Sequence, residues 1–494
     1  MISIEHLWVL AVIVGIFTFV NTHPIRPQDF WWHMAIGRQV LQTGAIPKVD
    51  VYSLTQSGQP YLSYQMFWLA EIGMYLVYRI GGAILVVLSQ TAIITMAYSL
   101  LLWLGWRLTN NLRAAAFGTL FAAALGFDNW NVRPQTITYL LGVLILVGIY
   151  EFRRTKKKAW ILLFPLAMLI WANSHGSFPI GLVLLGFWLV DEVITAIREG
   201  YSQPFFQRFE QVIPPTLALV LSSLACLLNP RGLGLLSYLS NMAKNQVVQL
   251  YATEWAPSTL NTLGGFIFLV GLLVLGIVLS ISPKRPGLFQ LLCFLVLGLL
   301  GLKYTRGIIW FGIGMAPVMT DHLAAIFEKV GIKRSTAEPT PVMRRVNLLF
   351  ASLLLLLAFF SLPWFKRYLP LSKQKIGILS NETPVEATKF LLANNLPGNI
   401  FHDMAFGSYL IWAAQPQYPV FVDSRLELYP IQIWNDYIMI STGNCQWEEL
   451  IQKYGFRTLM LSRQNQASLM QKIEDSGKWI LEYEDPNVAL YTRQ

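Results

Sequence analysis

The sequence predicts an α-helical protein that crosses a membrane many times and carries a small α/β domain at its C-terminal end. Three observations predict it. Of 494 residues, 54% are apolar and only 13% charged, with a mean hydropathy of +0.48, whereas soluble chains carry about 25% charged residues. Eleven stretches are apolar over about the length that a bilayer crossing needs. Residues 364–494 hold no such stretch and are nearly charge-balanced, with 12 Lys and Arg against 13 Asp and Glu. A chain so poor in charge cannot cover a water-facing surface, which excludes an ordinary cytosolic enzyme and a disordered protein. No Lys/Arg-Gly-rich stretch points to nucleic acid. Three cysteines, Cys226, Cys293 and Cys445, show neither a disulfide framework nor a CxxC metal site.

The eleven predicted spans are 5–22, 82–105, 112–128, 135–151, 159–172, 178–197, 212–228, 263–282, 287–302, 305–321 and 346–363. One further apolar stretch, 65–80, is short, holds Glu71 near its middle and ends in Arg79 and a Gly81-Gly82 break. Cations concentrate in short cytoplasmic loops, and this decides its reading. If 65–80 lies along the outer surface and the N-terminus is inside, 16 cations fall on the cytoplasmic side. They are Arg107, Arg113, Arg153, Arg154, Lys156, Lys157, Lys158, Arg198, Arg208, Lys284, Arg285, Lys329, Lys333, Arg334, Arg344 and Arg345. Only 9 in the first 363 residues then face outward. A spanning 65–80 turns the Arg153–Lys158 run outward, so the stretch is read as an amphipathic surface helix. The first helix lacks a basic leader and a small-residue cleavage site, and is expected to stay as an anchor. The expected location is a plasma (inner) membrane, with the N-terminus cytoplasmic and the C-terminal domain extracytoplasmic.

The expected domains are therefore a transmembrane part, 1–363, with a first outer loop over 21–81, and an α/β domain, 364–494. In the latter, Thr383-Pro384-Val385-Glu386 predicts a capping box opening a helix to about Asn395. Strands are expected at Asn399–His402, Tyr418–Asp423, Thr458–Ser462, Trp479–Glu484 and Val488–Thr492. Helices are expected at Trp447–Tyr454 and Ala467–Asp475.

The outer loops carry the chemistry-bearing residues. Asp29 follows the first span, and His33 lies one helical turn on, so the two share a helix face. A carboxylate and an imidazole so placed can converge on one substrate atom or one metal ion. The plainer alternative makes Asp29 a helix N-cap beside an interfacial belt of Trp31 and Trp32. The helix is expected to end at Thr43-Gly44, with Asp50 in the next turn. Later outer loops hold Asp128 and Arg133, then His175, then Asn229 and Arg231, Glu254 and Trp255, and Lys303 and Arg306. Ionisable groups at membrane depth are costly and face a cavity or a partner. Arginine suits phosphate because its planar fork bonds two oxygens. No nucleotide phosphate loop, HExxH or GxSxG motif occurs.

The run D-x-W-W-H-x-x-x-G-R-x-x-x-x-T-G-x-x-P-x-x-D-x-Y-S-x-T-x-x-G-x-P, from Asp29 to Pro60, resembles bacterial GT-C-like membrane proteins. So do V-R-P-Q (132–135), W-A-N-S-H-G (171–176), E-W (254–255) and G-S-Y-L-I-W followed by V-F-V-D-S-R and Y-P (407–430). The wider resemblance is to the GT-C glycosyltransferases: lipid A aminoarabinose transferases, protein O-mannosyltransferases and oligosaccharyltransferases.

That resemblance implies inverting transfer of a sugar from a polyprenyl-phosphate donor to a glycan, lipid or protein acceptor on the outer face. Asp29 then matches the family's first-loop acid, a catalytic base or metal-binding carboxylate, with His33 orienting it or the acceptor. Arg133, Asp128, His175, Arg306 and Glu254 are the donor-phosphate or substrate candidates. Relatives show an acid before proline where this chain has Arg133 before Pro134. A divalent cation such as Mg or Mn at Asp29 and a phosphate held by Arg133 both remain open. Asp403, Tyr409, Trp412, Asp423, Arg425 and Tyr429 are similar to the WWDYG region of oligosaccharyltransferases and are acceptor-side candidates. Alternatively, Asp423 and Arg425 tie a loop to the sheet. Two other functions fit the scaffold: a non-enzymatic assembly or lipid-binding membrane protein, and a lipid or solute transporter.

Overall fold

The computed structural model describes residues 2–198, 210–332 and 340–494. Arg208, Lys333 and Arg334 of the cytoplasmic cation set lie outside the described residues. Each predicted span falls on a helix; most agree to within a few residues, but the helix over 82–105 begins at Tyr64 and the one over 305–321 runs on to Lys329. The first seven helices are α1 (Ile4–Asn21), α2 (Phe30–Thr43), α3 (Tyr64–Thr109), α4 (Leu112–Gly126), α5 (Thr136–Thr155), α6 (Ala159–Ala172) and α7 (Pro179–Arg198). Among the described residues, seven helices are long and apolar enough to cross a membrane by length and composition.

Helix Ile308–Lys329 runs through the middle of the bundle, buried along most of its length against α3, α4 and helix Leu288–Lys303. Helix Pro341–Ser361 packs on α1 and leaves Leu348, Leu349, Phe350 and Leu355 exposed. Apolar side chains in that number on an outward face are stable only against lipid. The chain is thus a polytopic helical membrane protein.

Residues 64–80 are helical, and the Gly81-Gly82 break is real: both glycines leave helical geometry inside α3, Gly82 with φ of 62°. At its start the segment before the break touches the bundle core through Met66 and Phe67; beyond them it packs elsewhere. Its Phe67, Ile72, Met74, Tyr75, Val77 and Tyr78 pack with α2 and with the C-terminal part of the chain. α2 ends where the sequence predicts, with Gly44 in the left-handed region at φ of 69°.

The C-terminal part builds a four-stranded sheet of β1 (Asn399–His402), β2 (Phe456–Ser462), β3 (Trp479–Glu484) and β4 (Val488–Arg493) in the order β1-β2-β4-β3. β1 and β2 are parallel and the other two pairs antiparallel. Two expectations fail here. Helix Val385–Ala393 has no side-chain cap, and the Thr383 hydroxyl has no hydrogen-bond partner, so the capping box is absent. Tyr418–Asp423 forms no strand of the sheet. Val420 instead bridges Ser53: its N–H donates to the Tyr52 carbonyl at 2.9 Å, and its carbonyl accepts from the Leu54 N–H at 2.8 Å. The apolar run needed a backbone partner and found it in the loop after α2. One core consequently contains Trp32, Ala35, Ile36, Tyr52 and Tyr64 together with Ile400, Phe401, Leu410 and Val420.

Candidate functional site

The site grows from α2. Asp29 stands at its N-cap position, yet the carboxylate makes no capping bond. It faces Arg133 instead, with Oδ2 at 3.5 Å from Nη1. Arg133 comes from the turn before α5 and reaches on to Glu254, whose Oε1 is 2.5 Å from Nη2. Glu254 and Arg306 lie on two short 3-10 turns, Thr253–Trp255 and Thr305–Gly307. These are stitched by Thr305, whose N–H donates to the Ala256 carbonyl and whose hydroxyl donates to the Glu254 carbonyl. Arg306 lies 4.0 Å from Glu254, with its guanidinium 5.0 Å from the centre of the Trp255 ring. The result is an alternating chain of charge: Asp29, Arg133, Glu254, Arg306.

One cavity of about 260 Å³ is lined by Asp29, His33, Arg133, His175, Glu254 and Arg306, with Arg425 in its wall. Seven of the sequence-predicted residues therefore line one cavity. Enclosure pushes the Asp29 carboxyl above its ordinary range, outweighing the pull of Arg133. Enclosure pushes the Glu254 carboxyl up as well, but there Arg133 and Arg306 win and draw it down to about 2. Burial drives both imidazoles well below their usual range, with Arg133 adding to the effect on each. Both are neutral at neutral pH.

Two apolar cavities adjoin the polar one. The first, about 300 Å³, is lined by Leu69, Met74, Val77, Val86, Ile93 and Ile137, and shares Arg133 and Pro134 with the charged cavity. The second, about 240 Å³, shares His175 and Arg306 and is otherwise walled by Tyr238, Leu239, Leu300 and Trp310 among others.

The remaining candidates lie off this cavity, and Arg425 in its wall is engaged in a buried knot. Asp128 is exposed on a 3-10 turn and does not line the cavity. Asp403 is buried as the N-cap of helix Met404–Ala413, accepting from the Ala405 N–H at 2.8 Å and from Asn465 at 3.1 Å. Tyr409 and Trp412 pack on Trp31. Asp423 and Arg425 form a fully buried ion pair at 2.6 Å, and Arg425 also pairs with Asp50. Tyr64 and Tyr429 complete this knot. Asp423 and Arg425 therefore join the C-terminal part to the first loop, and a carboxylate so engaged has nothing to offer an acceptor.

The donor set also decides how well a divalent cation fits. Mg²⁺ and Mn²⁺ want several oxygen ligands, carboxylates foremost. The two carboxylates here already face Arg133, and Glu254 faces Arg306 too. Among the described residues, no group of three or more His, Cys, Asp and Glu side chains is placed to hold a metal ion. These residues do not fit a dedicated metal site.

Sequence reasoning missed one member of the site's surroundings. Glu71, on the segment before the Gly81-Gly82 break, lies fully buried with Oε1 at 2.7 Å from His33 Nδ1. A carboxylate in the middle of an apolar run was the available signal.

No family model matches the sequence, and no curated protein matches it. Solved structures do match in fold. The oligosaccharyltransferase AglB from Archaeoglobus fulgidus, in complex with an inhibitory peptide and a dolichol-phosphate, aligns with a TM-score of 0.56 at 11% identity, over 93% of this chain and 70% of its own. The same organism's oligosaccharyltransferase tethered to an acceptor peptide gives 0.54 at 12% identity, over 99% and 74%. ArnT from Cupriavidus metallidurans bound to undecaprenyl phosphate gives 0.51 at 12% identity, over 98% and 97%. From its first helix to its C-terminal sheet, the chain has the fold of these oligosaccharyltransferase and ArnT structures.

Proposed function

We propose that this chain is an inverting GT-C-type glycosyltransferase that moves a sugar from a polyprenyl-phosphate donor to an acceptor at the outer face of a plasma membrane. One observation carries the reading: an apolar cavity leads directly to Arg133, the cation between Asp29 and Glu254. An isoprenoid tail suits the apolar walls, and its phosphate then meets a guanidinium fork. Arg306 and His175 stand on the same cavity wall. As the sugar–phosphate bond breaks, negative charge grows on the leaving phosphate, and fixed cations in an enclosed site stabilise it strongly. The acceptor hydroxyl loses its proton to a group on the α2 side of the cavity, which Asp29 and His33 line. The AglB and ArnT structures hold dolichol-phosphate and undecaprenyl phosphate, ligands of the class this reading requires.

The test is release of undecaprenyl phosphate from a panel of undecaprenyl-phosphate sugars by the purified chain, with membrane extract as the acceptor source. Turnover that disappears in Asp29→Ala, with expression intact, supports the reading; turnover retained in that variant overturns it. Orientation has its own test. Cys445 is exposed and the other two cysteines are buried, so an impermeant maleimide added outside intact cells should label Cys445 and spare a Lys156→Cys probe.

A further inference from the structure

The His33–Glu71 contact is built with care. α2 reaches α3 closely only because Gly37, one turn after His33, has no side chain. A Cβ there meets the Glu71 carbonyl oxygen at 2.3 Å. At that approach, His33 Nδ1 comes within 2.7 Å of Glu71 Oε1, both side chains being nearly or fully buried. Glu71 lies behind the imidazole, off the cavity wall, while His33 lines the cavity. The second oxygen of Glu71 has no hydrogen-bond partner among the described residues. Leaving such a group buried and unpaired is costly, and a helix that needed only packing at this position would carry leucine.

The two cavity imidazoles have different partners at Nδ1. His175 Nδ1 accepts the Ser177 N–H at 3.1 Å, so its Nε2 carries the hydrogen and is a donor. Burial pushes the Glu71 carboxyl well above its ordinary range; with the hydrogen on His33 Nδ1 donated to Glu71 Oε1 at 2.7 Å, Nε2 is a bare acceptor. Position separates His33 from Asp29 as well. Asp29 lies 3.5 Å from Arg133, beside the cation that the proposed function gives to the leaving phosphate. Inversion needs the acceptor on the opposite face of the sugar. His33 is one turn further along α2, about 6 Å along the axis.

We propose that His33 Nε2 is the catalytic base of the transfer and that Glu71 is its positioning residue, while Asp29 holds Arg133. The proposal rests on the glycosyltransferase reading. The acceptor oxygen forms its bond to the anomeric carbon, and its proton passes to His33 Nε2. The bond from that carbon to the phosphate oxygen breaks, and its electron pair leaves with the polyprenyl phosphate. The imidazolium, held against the Glu71 carboxyl group, then returns the proton to water. Charged and titratable groups around His33 are Glu71 from α3, His175 from the loop after α6, Arg133 from the turn before α5, and Arg425 from the C-terminal part; Asp29 precedes it on α2.

The test uses the purified full-length chain with two readouts. In the first, diethyl pyrocarbonate modification of His33 is followed by peptide mass spectrometry between about pH 4 and 9. Glu71→Gln, which keeps the side-chain shape, should lower the midpoint of the His33 titration by about one unit or more. Undecaprenyl phosphate should protect His33 in wild type and variant alike, which shows that the variant is folded. In the second, release of undecaprenyl phosphate from undecaprenyl-phosphate sugars should fall about 10²–10⁴-fold in His33→Asn and at least about tenfold in Glu71→Gln, with the donor KM unchanged. A His33 titration that does not move in Glu71→Gln overturns the pairing. One that moves without loss of turnover overturns the role as base. If no sugar is released by wild type, the glycosyltransferase reading fails by itself, and the modification profile still reports on the pair.

Discussion

Replacing Arg425 by methionine removes the one cation shared by Asp50 and Asp423 while keeping most of the side-chain stem. All three side chains have zero exposure. Arg425 donates through its backbone N–H and Nε to Asp423 Oδ1 at 2.8 and 2.9 Å, through Nη2 to Oδ2 at 2.6 Å, and through Nη1 to Asp50 and to the Tyr64 hydroxyl. Breaking a buried pair by removing one partner costs about 3–5 kcal/mol, because the other charge stays buried. Here one deletion strands two carboxylates, so about 5 kcal/mol is expected. For a cooperative unit of 150–250 residues, each kcal/mol moves the midpoint by about 2–4 °C, giving a fall of about 10–20 °C. Intrinsic tryptophan fluorescence of the detergent-solubilised chain reads the transition, since Trp434 lies 6.2 Å from Tyr429 between ring centres. The defect should also depend on pH. In wild type, burial pushes the Asp50 carboxyl up, but Arg425 overcomes it and holds the group below its ordinary range. Its contribution is thus present above the unfolded pKa of about 3.9 and lost as pH falls through the folded value. The gap between wild type and Arg425→Met should therefore narrow on acidification. A triple variant, Asp50→Asn, Asp423→Asn and Arg425→Met, buries no charge and should recover most of the lost midpoint. A single variant within about 3 °C of wild type, or a triple no better than the single, refutes the account.

Arg133→Ala should lower release of undecaprenyl phosphate by about 10²–10³-fold, the usual loss when one stabiliser of developing charge is removed, and Arg133→Lys should recover part of it. Equal turnover in all three proteins would place the phosphate elsewhere. Ala70→Trp fills the apolar cavity beside Arg133 and should raise the donor KM about tenfold with little change in kcat; an unchanged KM would show that the tail lies in another groove. Because the carboxylates of the site are engaged by arginine, incubation with EDTA should leave turnover unchanged. A loss that Mg²⁺ or Mn²⁺ restores would contradict that reading of the donor set.

The features legible in the sequence are those whose cause is local. A span shows itself through the length of its apolar run, and the Gly81-Gly82 break through two residues without side chains. The Asp29–His33 spacing states by itself that both groups face the same way, and both line the cavity. What the sequence hid depends on partners far along the chain. Tyr418–Asp423 reads as a strand because it is apolar and β-branched, which signals extension and not which edge it pairs with; its partner is Ser53. Asp128 is close to Arg133 in sequence yet exposed on its own turn, since a few residues of loop suffice to turn a side chain away. Arg425 and Asp423 look like surface recognition groups until Asp50 arrives from the first loop.

Glu71 is the instructive case. Its carboxylate weakens 65–80 as a span, but that reading concerns only where the helix lies. Burying an ionisable group without a partner is expensive wherever the helix lies, so the same residue also implied a partner. That partner had to be a hydrogen-bonding group on an element able to come close, which limits it to a helix with a glycine at the crossing. α2 carries such a pair in His33 and Gly37, four residues apart and on one face. An acidic residue in an apolar run and a His-x-x-x-Gly in a nearby helix are each weak alone. Taken together they anticipate a short contact, and the 2.7 Å between Nδ1 and Oε1 realises it. The anomaly in the apolar run and the group beside the candidate base are one residue, because both follow from the cost of hiding a carboxyl group from water.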